Sequence, residues 1–135
     1  MRSQMKVIIG RNEWFSIPEY GVDWFRAKID TGKKNSQLHA SAISPFQRDG
    51  AQWVSFKTID EIECEAIVLL EKEAEEGGEK RYFIELSLLS LDEQEHQLLV
   101  QLSERGTSRY LLRLGRRALR EFLVDSSRSQ MLGKF

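Results

Sequence analysis

The chain breaks into short apolar runs, each stopped by a turn signal before a long helical face can develop. Lys6–Ile9 ends at Gly10, Trp14–Ile17 ends at Pro18, and Tyr20-Gly21 turns the chain again. Trp24–Ile29 alternates, with Phe25, Ala27 and Ile29 on one side, which is the period of a half-buried strand. Asp49-Gly50 lies between Pro45-Phe46 and Trp53–Phe56, a strong hairpin signal. Arg81–Leu89 alternates through Tyr82, Ile84, Leu86 and Leu88. Asp92–Glu95 is the next turn, and His96–Leu102 a further strand. Ser103–Ser108 reads as a polar loop, Arg116–Glu121 as one short helix and Phe122–Val124 as a last strand.

Glu61–Glu76 allows two readings. Its Glu, Ala, Leu, Ile and Lys favour a helix, but Gly77-Gly78 follows and then an alternating run. A two-glycine turn between such segments favours a hairpin, with a strand over Cys64–Glu71. Many short strands and one helix predict an all-β barrel or folded sheet. The 135 residues suit a single domain (1–135), with a core over about 7–125 and a polar, frayed tail over 126–135.

Composition narrows the chemistry. Lys+Arg 20 against Asp+Glu 21 gives a net charge of -1, with no electrostatic footprint for nucleic acid. Arginines crowd the C-terminal part, from Arg105 and Arg109 to Arg128, while Asp60–Glu79 is mostly acidic. The basic cluster suits either a solvated face or an acidic partner. Cys64 is the only cysteine, which excludes an internal disulfide and a cysteine-rich zinc site. No apolar run reads as a signal peptide or a membrane span, so a soluble cytoplasmic protein without membrane contact is expected.

One tripeptide offers catalytic chemistry. Asp30-Thr31-Gly32 follows the alternating strand that ends at Ile29, and Leu114-Gly115-Arg116 closes a later apolar run. Taken alone, Asp-Thr-Gly is also an ordinary turn. Two carboxylates held close together share one proton, because both cannot ionise at that distance. The basic one activates water, and the acidic one protonates a peptide carbonyl. Only one Asp-Thr-Gly is present, so the second carboxylate would be Asp30 of another copy across a two-fold axis. Thr31 is suited to a hydroxyl-to-backbone bond, and Gly32 permits close backbone approach.

Several blocks in order make the pattern specific: Gly10–Trp14, Ala27–Gly32, Ser36–Ala40, Pro45–Gly50, Arg81–Ile84, Leu114–Leu119 and Phe122–Asp125. Over Val7 to Ser129 this series resembles a bacterial family of retropepsin-like aspartic peptidases often labelled "ATP-dependent zinc protease". The resemblance implies a retropepsin-type acid-protease β-fold with one lobe per chain, a homodimer and a peptide or protein substrate. It also implies an association with ATP-grasp glutamate ligases. Carried over, Asp30 is the catalytic carboxylate, Thr31 and Gly32 form its loop, and Leu114, Gly115 and Arg116 form the supporting turn. Counting strands back from Gly115 puts Gly77 and Gly78 at the tip of the substrate-covering flap, with Asp49-Gly50 as the alternative.

Neither chemical term of the family label has a basis in the residues. No Gly-rich phosphate loop with Lys is present, and His39 and His96 are the only histidines, in no zinc-binding spacing. No cofactor and no metal are expected. The chain also departs from the family's pattern. Lys33 stands beside the substrate channel where a small residue is usual, and Arg113 replaces an apolar residue before Leu114. The Lys33 ammonium would crowd the site or favour the charged form of Asp30, against proton sharing, and both changes point toward a degraded or altered catalyst. A non-catalytic peptide-binding module, or a regulatory partner of a glutamate ligase, is therefore the rival to a working peptidase.

Overall fold

A computed structural model describes residues 6–58, 60–73, 79–104 and 109–135. Eleven strands, one α-helix and one short 3-10 helix (Pro18–Tyr20) are assigned among them. They are β1 (Val7–Ile9), β2 (Asn12–Ile17), β3 (Val22–Ile29), β4 (Ser36–Arg48), β5 (Ala51–Lys57) and β6 (Glu63–Ile67). β7 (Leu70–Glu73), β8 (Lys80–Ser90), β9 (Glu95–Glu104), β10 (Leu112–Leu114), α1 (Arg116–Leu119) and β11 (Phe122–Val124) follow. The all-β expectation holds.

Six strands close into a barrel. Starting at β3, the ring runs through β2, β8, β9, β4 and β10 and returns to β3. β10 is the closing strand, parallel to β3 and antiparallel to β4. The alternation predicted for β8 is observed: Tyr82, Ile84, Leu86 and Leu88 are all buried. They meet Val100, Leu102, Ala27, Leu38 and Leu112 in one apolar cluster.

β4 leaves the barrel part-way along its length. Its register shifts between Ser41 and Ser44, and Ala42 has φ 51. Such a bulge bends a strand and re-aims it. The outer half of β4 then pairs with β5, and β5 with β6, in an antiparallel extension. Asp49 (φ 51) and Gly50 (φ 79) form the tight turn read from Asp-Gly.

Three local expectations change. Cys64–Glu71 is not one strand but two, β6 and β7. Between them Val68 N–H donates to Gln52 O and Leu69 N–H to Phe83 O, so the chain crosses from the extension to the barrel. The helix is shorter than expected and stops at Leu119. The tail after β11 is not frayed. The Glu13 side chain is fully buried and accepts from Gly10 N (2.7 Å), Met131 N (2.9 Å) and Leu132 N (2.9 Å). Arg11 N–H donates to Arg128 O, Gln130 N–H donates to Asn12 O, and Leu132 packs on the core. Phe135 makes edge contacts with Trp14 and Trp24. A buried carboxylate needs donors, and three backbone amides supply them. Much of Ser103–Ser108 lies outside the described residues.

Candidate active site

β3 carries Ala27 and Ile29 into the core and ends at Ile29, so that Asp30 is the first residue beyond it. β10 lies alongside with Leu114 opposite Ile29, and Asp30 N–H donates to Leu114 O at 2.9 Å. The turn then folds on its own carboxylate: Gly32 N–H donates to Asp30 Oδ1 at 3.1 Å, and Lys33 N–H to Asp30 O at 3.2 Å.

A second turn interlocks with the first. Gly115 N–H donates to Ser36 Oγ at 3.0 Å. Arg116 N–H donates to Lys33 O at 2.7 Å, Arg117 N–H to Lys34 O at 3.1 Å, and Arg116 Nη1 to Thr31 O at 3.2 Å. A Cβ on Gly115 would lie 2.6 Å from the carbonyl carbon and oxygen of Asn35, so only glycine fits. The six residues Asp30, Thr31, Gly32, Leu114, Gly115 and Arg116 therefore meet as one unit, across 85 positions of sequence between Thr31 and Arg116.

The other oxygen of Asp30 is also taken. Arg113 Nη1 donates to Asp30 Oδ2 at 3.2 Å, with both side chains mostly buried, at 25% and 17% exposure respectively. In β10, Leu112 and Leu114 point into the core, so Arg113 between them points out, toward the carboxylate. The alternation made Arg113 a non-core residue, but its partner lies 83 positions away and had no local signal. Lys33 behaves differently from Arg113: it is exposed and contacts Asp30 only through its backbone.

A cleft of about 540 Å³ adjoins this unit through Gln37, which is opposite Arg113 in register. Its walls include Ile43 of β4, Arg81 and Tyr82 of β8, and Gln101 of β9. Gly77 and Gly78 lie outside the described residues; the strands flanking them pair antiparallel, with Glu73 opposite Lys80. Among the described residues no three His, Cys, Asp or Glu side chains converge as metal ligands. His39 is buried in β4, and His96 lies on β9 near Ser90. Burial pushes the Cys64 thiol up to about 11, so it is not a ready nucleophile.

The family profile described as RimB-like, retropepsin-like aspartic endopeptidase RimB, matches residues 8–134. The chain belongs to this RimB-like family. Curated relatives of the RimB-like chain are named "Probable alpha-L-glutamate ligase". The one from Shewanella halifaxensis is 35% identical, over 98% of this chain and 31% of its own length. The Parasynechococcus marenigrum protein is also 35% identical, over 95% and 30%. The chain thus spans about a third of these relatives. A Legionella pneumophila protein of unknown function has the same fold, with TM-score 0.78 and 24% identity, over 93% of this chain and 98% of that one. Among the described residues no helix is long and apolar enough to cross a membrane.

Proposed function

We propose that the chain is one half of a homodimeric aspartic endopeptidase whose site is completed by Asp30 of a second copy. The observation that carries this reading is the interlock of the Asp30–Ser36 turn with the Gly115–Arg117 turn, which fixes one carboxylate at the end of β3. Belonging to the RimB-like family supports it. Across a two-fold axis the two carboxylates share a proton; one deprotonates water and the other protonates the scissile carbonyl. Thr31, exposed beside Asp30, offers its hydroxyl to the partner's turn. Gly77 and Gly78 serve as the tip of the flap, and Lys33 stands at the mouth of the groove. The cytoplasm is the setting, where the lone buried thiol of Cys64 stays reduced.

Arg113 favours a second reading, a module that binds peptides without cleaving them. Its guanidinium occupies Asp30 Oδ2, the oxygen that a catalytic water or a second carboxylate would have to approach. In the peptidase reading Arg113 swings off Asp30 when substrate enters. The names of the relatives motivate a working association with a glutamate ligase, and glutamate-rich peptides as first substrates to try.

One experiment separates the readings. A peptide library containing glutamate-rich members is incubated with wild type, Asp30→Asn and Arg113→Leu. The peptidase reading expects cleavage by wild type, none by Asp30→Asn, and cleavage retained or raised in Arg113→Leu, where Asp30 Oδ2 is uncovered. Cleavage that survives Asp30→Asn refutes the aspartic mechanism. Binding without cleavage in all three proteins supports the module.

A further inference from the structure

Leu114 and Arg113 are neighbours in β10, so their side chains leave opposite faces of the strand. Arg113 reaches Asp30, whereas Leu114 lines a separate cavity of about 300 Å³ between α1, β8 and β9. The floor of this cavity is apolar, built from Phe15, Leu88, Leu98, Leu114 and Phe122. Its rim carries two arginines, Arg117 and Arg120, together with Glu121. Both arginines are exposed, and neither guanidinium has an ion pair or hydrogen bond with a described residue. Glu121 pairs with neither of them, although it follows Arg120 directly. His96 also lines the cavity, with its Nε2 occupied by Ser90 Oγ at 2.9 Å.

This distribution is that of a site for one kind of molecule. An apolar floor rewards a hydrocarbon tail, because water leaves both surfaces. Two unpartnered guanidiniums against one carboxylate leave the mouth positive, and guanidinium is the best side-chain partner for a planar carboxylate. A cation would meet repulsion there, and a neutral tail would leave the arginines unpaired. The volume lies at the lower end of small-ligand sites.

We propose that this cavity binds a small amphipathic carboxylate, its tail on Leu88, Leu114 and Phe122 and its head between Arg117 and Arg120. The site is independent of the Asp30 chemistry, but it shares a wall with it: Asn35, whose backbone packs on Gly115, also lines the cavity.

The test uses octanoate, octanol and octylamine, three ligands with one tail and different heads, titrated into the whole chain by amide NMR and calorimetry. Octanoate is expected to bind about tenfold more tightly than octanol, the effect of one charge-assisted contact. Octylamine is expected to bind weakest. The shifts should centre on Leu88, Leu114 and Phe122. Arg117→Gln with Arg120→Gln should bring octanoate down to the level of octanol, and Ala118→Phe, which fills the cavity, should weaken both. Equal binding of octanoate and octanol by wild type overturns the proposal. So do a preference that survives the double variant, shifts centred on Arg113 and Asp30, and no binding of any of the three.

Discussion

Two glycines flank the Asp30 carboxylate, for different physical reasons. At Gly115 a Cβ would meet the backbone of Asn35 at 2.6 Å, and backbone cannot step aside. At Gly32 a Cβ would meet Asp30 Oδ1 at 3.3 Å, a side-chain atom with some freedom. Gly115→Ala should therefore cost about 3 kcal/mol by urea unfolding, at the upper end of overpacking costs. Gly32→Ala should cost clearly less while disturbing the carboxylate. Equal losses would mean that Asn35 yields and that the close approach is not what selects glycine. The sequence pointed to both glycines through their tripeptides, and it singled out Arg113 and Lys33 as unusual. It could not say which of those two cations reaches Asp30. Lys33 is beside Asp30 in the chain and turned away, while Arg113 is remote in the chain and adjacent in space. Chain distance carries no information about a contact made through a parallel strand pair.

At the scale of elements, the legible parts are those decided locally. The Asp49-Gly50 hairpin and the β8 alternation depend on turn chemistry and on a period of two, both readable from neighbours. The break between β6 and β7 depends on which sheet each half joins, and the ordered tail depends on Glu13, more than a hundred positions earlier. The β8–β9 turn gives a pH prediction. Ser90 Oγ is hydrogen-bonded to Asp92 Oδ1 and lies 2.9 Å from His96 Nε2, and the His96 ring packs edge-on against Phe15. Burial holds the His96 imidazole below its ordinary value, against the opposing pull of Asp92 and Glu121. The unfolded chain then binds a proton at higher pH than the folded one. This contribution to stability is present above the unfolded value of about 6.5 and is lost as pH falls through it toward the folded value. Urea midpoints across pH 5 to 7.5 should fall toward acid in wild type and fall less in His96→Gln. Identical slopes would remove His96 from the account.

At the scale of the whole molecule, β1 and β11 form a two-stranded parallel sheet separate from the barrel. Val7 (49%), Ile8 (48%) and Leu123 (54%) are exposed on it. A two-stranded sheet with apolar flanks is poorly stable on its own. If the proposed function holds, this exposed apolar edge is where a second copy is expected to pack. Sedimentation at micromolar concentration should find a dimer, and Leu123→Asp should shift it to monomer without unfolding the barrel. A wild type that stays monomeric at that concentration contradicts the two-carboxylate mechanism.

The closing strand of the barrel has a consequence for how the site persists. β10 is three residues long, yet it joins β3 to β4, and the next residue is the glycine that seats the Asp30 turn. Folding the barrel and assembling the turn are thus one cooperative event. Loosening the geometry around Asp30 therefore also loosens the strand that closes the barrel. Arg113, in contrast, points away from the core, and exchanging it leaves the closure intact. The contact that Arg113 makes with Asp30 is therefore separable from the scaffold: one outward-facing position can change while the turn around the carboxylate stays in place.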